Sequence, residues 1–286
     1  MHPMNILLTG ADGNLGTEIR RQAKTPVTQL GRDGWEDLDT ALDGADTIVH
    51  AASDLRTRAA VSPVGLMGSN VMATALLLEA AKRHSIRRFV FMSSCAVYGE
   101  DMRTSEDGPC CPISINGVSK LLNEKLIAEF CEANCMEYQI LRVFNTYGGH
   151  DRFSILSKLE RALLEGTEFT LNNEGRMLRD FIHVSDVAAI VLNLLAAPAR
   201  YSHLNIGTGE ATKISTLIGL VLTQFPQLAI HHGVTQEAEY SRANIARLRE
   251  FWTGEFICIE DYVRERFNPE RWGDLSRSPA LQTPPR

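Results

Sequence analysis

The chain has 286 residues, 44% of them hydrophobic and 22% charged, enough for one large α/β domain or a large and a small one. Its formal net charge of −6 offers nothing to attract nucleic acid or an anionic membrane surface. No apolar run approaches the roughly 20 residues of a membrane span.

In chain order, apolar strands alternate with helical patterns. Met1-His2-Pro3-Met4 runs straight into a strand over 5–9, with no basic segment or cleavage site, which predicts a cytoplasmic protein. A helix is expected at 15–22, a strand at 27–30, a helix at 36–42 and a strand at 46–51. Over 70–83, Ala73, Leu76, Leu77, Ala80 and Ala81 share one helical face. A strand at 89–92, an amphipathic helix at 119–133 and a strand at 138–143 follow, and the regular alternation ends near Gly148. Beyond it come helices at 154–165, 184–196 and 214–224, with short strands at 169–171 and 204–206. Residues 268–286 are rich in Pro, Ser and Arg, lack periodicity, and are expected to form a flexible tail. The order predicts an α/β fold. A Rossmann-type doubly wound parallel sheet spans 1–150, with 180–200 packing back on it, and a smaller mixed C-terminal substrate-binding region spans 151–267. Cys95, Cys110, Cys111, Cys131, Cys135 and Cys258 show no C-x-x-C and no zinc spacing, so they read as reduced thiols with no metal site.

Thr9-Gly10-Ala11-Asp12-Gly13-Asn14-Leu15-Gly16 joins the first strand to the first helix. A tight turn, close approach of backbone to a pyrophosphate and a helix N-terminus with free N–H groups all call for glycine there. Gly10, Gly13 and Gly16, with Asn14 and Leu15, are therefore the candidate cofactor cradle.

Further blocks follow in order. They are Val49-His50-Ala51-Ala52, Asn70-Val71 with Thr74, Ser93-Ser94-Cys95-Ala96-Val97-Tyr98-Gly99, Leu141-Arg142-Val143-Phe144-Asn145-Thr146-Tyr147-Gly148, Arg179-Asp180-Phe181-Ile182-His183-Val184-Ser185-Asp186 and Asn205-Ile206-Gly207. Over nine-tenths of its length the chain thus resembles the extended short-chain dehydrogenase/reductase superfamily. Within it, the chain is similar to the nucleotide-sugar-modifying NAD-dependent epimerase/dehydratase family. The resemblance implies a nicotinamide cofactor held by the glycine turn and by Ala51, Ala52, Asn70 and Lys120. Ala73 stands where the family's Asn-V-x-G-T helix carries glycine. The second strand ends Leu30-Gly31-Arg32-Asp33. Arg32 could pair with a 2′-phosphate, favouring NADP, or Asp33 could hold the ribose hydroxyls of NAD.

In the resembled enzymes a serine orients the substrate oxygen, a lysine holds the nicotinamide ribose, and a tyrosine four residues before the lysine shuttles the proton. Ser94 and Lys120 match the serine and lysine, and Asn116 stands at the tyrosine position. An amide donates and accepts hydrogen bonds but does not titrate in the working range. Cys95, Tyr98, Tyr147 or a water on Asn116 could supply the proton instead, or the protein could bind without turnover. Cys95-Ala96 replaces the Asp-Glu pair of the resembled 4,6-dehydratases, which speaks against elimination chemistry. By the same resemblance, Asn145, Arg179 and Arg242 contact the substrate diphosphate, with an Arg179 pair to Asp180 or Asp186 as the alternative. His183 and Asp186 are read as helix caps and His150 as a solvated loop residue. The expected function is an NAD(P)-dependent nucleotide-sugar epimerase or ketoreductase with an altered proton shuttle. A cofactor-binding protein with a sensing or scaffolding role is the alternative. A homodimer through the helices from Asn70 and Ser119 is expected, with Leu76, Leu121 and Phe130 as candidate contacts.

Overall fold

A computed structural model describes residues 4–54, 62–100 and 104–272. β1 (Ile6–Thr9) reads Ile-Leu-Leu-Thr and is buried throughout. Such a run needs cover on both faces, which parallel strands receive from their crossover helices. After β1 come α1 (Asn14–Gln22), β2 (Val27–Leu30), α2 (Leu38–Leu42) and β3 (Thr47–His50). α3 (Pro63–Leu66), a π-turn over Met67–Met72 and α4 (Ala73–Arg83) run as one helix. β4 (Arg88–Ser94), α5 (Ile115–Ala133) and β5 (Glu137–Val143) follow. Next are β6 (Asn145–Tyr147), α6 (Ile155–Glu165), β7 (Phe169–Asn172), β8 (Leu178–Arg179), β9 (Phe181–His183), α7 (Val184–Leu195) and β10 (His203–Ile206). The last elements are β11 (Thr212–Lys213), α8 (Ile214–Gln224), β12 (Ile230–Gly233), β13 (Tyr240–Ser241), α9 (Ala246–Arg249), α10 (Ile259–Arg266) and α11 (Pro269–Trp272).

The central sheet has six parallel strands in the order β10-β5-β4-β3-β1-β2. On one face Ile19 of α1 and Val187, Ala188 and Val191 of α7 pack with Ile6, Leu8, Val49 and Leu141. On the other, Leu42, Leu77 and Ile127 of α2, α4 and α5 meet Leu7, Ile48, Phe89 and Ile140. β1 pairs directly with β3, Thr9 opposite His50. The chain leaves β1 toward β2 on one side and returns to β3 on the other. A crevice therefore opens beyond the C-terminal ends of β1 and β3, the place where doubly wound sheets hold ligands. A separate core joins α6, β7, α8 and α10 through Leu159, Leu163, Phe169, Leu217, Val221 and Val263. Three small sheets, β11-β8-β13, β12-β7 and β6-β9, lie outside the central one.

Three elements depart from the periodicity. The helix expected at 70 begins at Pro63, capped by Ser62, whose Oγ accepts from the Gly65 amide. At 21 residues and a mean hydropathy of 1.4 it is, by length and composition, long and apolar enough to cross a membrane. That corrects the expectation of no such run, although Leu77, Leu78, Ala80 and Ala81 of α4 are packed in the core. α5 starts at Ile115, not near 119, because Ser114 caps it by accepting from the Gly117 amide at 3.1 Å. Pro269–Trp272, at the head of the expected tail, is helical, and Trp272 stacks on Phe267 with ring centroids 5.8 Å apart. Residues 273–286 lie outside the described residues.

Candidate functional site

Gly10 closes β1 at φ +68°, and a Cβ there would stand 2.7 Å from the Ala52 nitrogen. A Cβ on Gly16 would lie 2.2 Å from the Gly10 carbonyl oxygen. Gly13, at an ordinary φ of −72°, is the N-cap of α1, which has no side-chain cap and no acidic residue in its first turn. The first amides of α1, on Asn14, Leu15 and Gly16, have no acceptor within the helix, the arrangement that takes an anion. These residues fit a dinucleotide pyrophosphate. The Asn14 side chain is otherwise committed: Nδ2 donates to the Gly148 carbonyl at 3.0 Å and Oδ1 accepts from the His150 amide at 2.6 Å. It ties the cradle to the loop after β6 and leaves its backbone amide for a ligand. The side chains of Arg32 and Asp33 lie outside the described ones.

A directional hydrogen-bond chain links the cradle to Asn70. Thr74 Oγ1 donates to the Asn70 carbonyl at 2.7 Å and so accepts from His50 Nε2 at 3.0 Å. His50 Nδ1 then accepts from Thr9 Oγ1 at 2.7 Å, and Thr9 accepts from the Ala52 amide at 3.1 Å. This order makes His50 the neutral Nε2–H tautomer. Burial, reinforced by the charge of Lys120, pushes its pKa down to about 3. Asn70 lies in the π-turn, and its Oδ1 accepts from the Asp54 amide at 2.7 Å.

Lys120 is buried and donates to the Met92 carbonyl at 2.7 Å. Burial lowers its pKa to about 8, opposed by Glu124 one turn further along α5. Ser94 ends β4, and its Oγ accepts from the Ala96 amide at 3.2 Å. Gly117 lets the head of α5 press onto the turn after β4, since a Cβ there would stand 2.4 Å from the Ala96 carbonyl oxygen. That close approach sets the first turn of α5, which carries Asn116, against the turn that follows β4. The Asn116 Oδ1 is buried and has no hydrogen-bond partner among the described residues. Leaving such an acceptor unpaired costs roughly 1–3 kcal/mol, so it suits a group that receives a donor from a ligand or water.

Two alternative proton carriers are engaged elsewhere. Tyr98 donates to Asn205 Oδ1 at 2.6 Å and accepts from Arg142 at 3.1 Å. Tyr147 donates to the Ile257 carbonyl at 2.7 Å. Burial raises the pKa of both hydroxyls. Cys95 has its Sγ 3.9 Å from the Ser241 hydroxyl, and burial pushes its pKa up to about 11. None of the six cysteines is in a disulfide.

At the expected diphosphate end, Asn145 Nδ2 donates to the Asp180 carbonyl at 2.8 Å and lies 3.4 Å from the Ser241 hydroxyl. Arg179 pairs with Glu237 at 2.9 Å, rather than with Asp180 or Asp186. Arg242 is exposed, and its Nε donates to the Gly209 carbonyl at 2.6 Å. Asp180 instead accepts from the amides of Thr208, Gly209 and Ala243, which knits the C-terminal region onto the motif strand. His183 caps α7 by accepting from the Ser185 amide, and Asp186 accepts from the Ile257 amide. Sequence reasoning passed over Glu124, which accepts a two-pronged pair from Arg142 and a 2.5 Å hydrogen bond from Ser93. The arginine was visible in its motif, but nothing marked Glu124 as its partner. His50 was also visible, and its neighbours Thr9 and Thr74 became meaningful only in three dimensions.

Residues 6–207 match the model of the NAD dependent epimerase/dehydratase family. The chain is 32% identical over 192 residues to the uncharacterized UDP-glucose epimerase YtcB of Bacillus subtilis (strain 168). That match covers 65% of this chain and 60% of YtcB. Among solved structures, MoeE5 in complex with UDP-glucuronic acid and NAD superposes with a TM-score of 0.81 at 26% identity, covering 91% of this chain and 96% of that one. TunA, an NAD dependent NDP-hexosamine 5,6-dehydratase, shares the fold with a TM-score of 0.86 at 24% identity, over 96% of this chain and 99% of its own.

Proposed function

Because the chain belongs to the NAD dependent epimerase/dehydratase family, we propose that it is an NAD(P)-dependent nucleotide-sugar epimerase or ketoreductase with an altered proton shuttle. One observation carries the reading: the buried Asn116 Oδ1, at the sequence position of the family's proton-carrying hydroxyl, has no hydrogen-bond partner among the described residues. In this reading Ser94 orients the reacting oxygen of the sugar and Lys120 holds the ribose. Asn116 holds a water that relays the proton. The nicotinamide, when bound, supplies hydride transfer. Cys95 and Ala96 are not carboxylic acids, which favours hydride and proton exchange at one carbon over elimination. A dinucleotide-binding part over 1–150, joined by 180–200, and a substrate-binding part over 151–267 fit this assignment. The nucleotide-sugar substrate is supported by MoeE5, which binds UDP-glucuronic acid. A cytoplasmic location and a homodimer belong to the same proposal.

Arg32 directs the cofactor preference toward NADP. Affinities for NAD and NADP in the parent and in Arg32→Ala test this; a parent that prefers NAD and is indifferent to the substitution refutes it. A second reading, binding without turnover, draws on the same missing titrating group at Asn116. Spectra of bound cofactor together with turnover over a panel of nucleotide sugars separate the two. Cofactor reduction or product formation supports the enzyme, and stoichiometric binding with no conversion supports the sensor or scaffold.

A further inference from the structure

The expected diphosphate subsite already holds an acid of its own chain. Arg179 has a side chain only 10% exposed, and its Nη2 donates to Glu237 Oε2 at 2.9 Å. Its Nη1 donates to the Leu178 carbonyl at 3.0 Å, so both terminal nitrogens are engaged. Glu237 is held there by its loop. Asn173 Nδ2 donates to the Thr235 carbonyl at 2.8 Å, and its Oδ1 accepts from the Thr235 amide at 3.3 Å. The same Nδ2 reaches Glu237 Oε1 at 3.5 Å. At the other end of the loop, the Leu178 amide donates to the Glu239 carbonyl at 3.0 Å. Asn173 sits at φ +49°, where asparagine is tolerated better than most side chains. The loop is thus strapped across Arg179 from both sides.

We propose that Glu237 is an acidic gate on Arg179, an intramolecular competitor that a nucleoside diphosphate must displace to bind. The proposal rests on the nucleotide-sugar reading and names what controls entry to that site. A carboxylate and a diphosphate seek the same guanidinium fork. Glu237 takes one of the Nη2 donors and sets its own negative charge at the fork, so a diphosphate arriving there meets a competitor of like charge. A ligand carrying enough negative charge opens the gate, whereas an uncharged sugar leaves it shut. Asn145 and Ser241, next to each other beyond Asp180, are placed to take further oxygens once the guanidinium is released.

Calorimetric titration with UDP, dTDP and GDP of the parent, Glu237→Gln, Asn173→Gly, Arg179→Met and the Glu237→Gln/Arg179→Met double variant tests this. Glu237→Gln is expected to tighten the preferred diphosphate about tenfold, equivalent to about 1.4 kcal/mol. Asn173→Gly, which cuts the strap and tolerates the positive φ, should shift affinity the same way and decides the matter if Glu237→Gln fails to fold. The double variant should lose the gain. Unchanged or weaker binding by both single gate variants, in a parent that binds the diphosphate, overturns the gate and leaves the nucleotide-sugar reading standing. If no variant binds any of the three while NAD still binds, the nucleotide-sugar reading falls and the gate with it.

Discussion

Asn116 occupies the first turn of α5, where Gly117 and Ser114 bring the helix hard against the turn that follows β4. In the proposed site it acts with Ser94 and Lys120. Ser94 ends a central strand, and Lys120 is buried, with burial lowering its pKa to about 8 against the opposing charge of Glu124. A positioned acid or base is worth roughly 10²–10⁴-fold in rate. If the site lacks nothing but a titrating hydroxyl, Asn116→Tyr raises turnover on the right nucleotide sugar by up to about that factor. If water on the Asn116 amide carries the proton, the ring expels it, and steady-state kinetics show activity unchanged or lower. Tyr98 and Tyr147 are poor substitutes in either case, because each hydroxyl already donates to a fixed buried acceptor. Loss of all activity against a broad panel in both parent and variant, with cofactor still bound, would remove the substrate class itself.

The strand-turn-helix from β1 to α1 makes a sharper test of cofactor binding than any single polar residue. Substitution at Gly10 or Gly16 drives a Cβ into backbone and damages the fold, whereas Gly13 meets one atom, the Gly10 carbonyl oxygen, at 3.1 Å. Gly13→Val is therefore expected to keep most of the stability and lose NAD(P) affinity; tight binding retained in fluorescence titration would mean the turn is misassigned. The next strand over carries a pH signature. His50 has a folded-state pKa of about 3 against an ordinary 6.5. The unfolded chain takes up a proton below about 6.5 that the folded chain refuses until about 3, so this part of the stability is complete above 6.5 and is lost as the pH falls between them. Denaturation midpoints of the parent should fall more steeply from pH 6.5 to 4 than those of His50→Gln, and parallel profiles would disprove a neutral buried histidine. The glycine turn could be read from the sequence because its glycines fall between a strand and a helix, where backbone passes tightly against backbone. The start of α5 could not, because its first turn carries Asn116 and Gly117, weak helix formers, ahead of the apolar face of residues 119–133. β6, β8 and β9, of three residues or fewer, are too short for any period, although they lie inside blocks whose residues stand out. The Arg179–Glu237 pair joins positions 58 apart, and no local pattern announces it.

At the scale of the whole molecule, α4 and α5 present an apolar surface that is exposed among the described residues. α4 and the π-turn before it expose Met72 and Leu76, 58% and 50% accessible, one helical turn apart. α5 exposes Ile115, Val118 and Leu122 along one stripe. Leu121 and Phe130 face inward, half-buried against the cores, and are not among the contacts expected of a partner. The two helices pack against each other, so their exposed residues suit pairing with the same two helices of a second copy, which would be isologous. Burying Met72 and Leu76 in this way also accounts for the high hydropathy of the Pro63–Arg83 helix, whose opposite face already lies in the core. Light scattering at micromolar concentration should give twice the 31.7 kDa chain mass. Leu76→Glu combined with Leu122→Glu should halve that mass while circular dichroism shows the monomer still folded, with the unfolding temperature lowered only by the stabilisation that dimer association supplied. A parent that is monomeric and sediments with phospholipid vesicles would instead assign this helical face to a membrane surface.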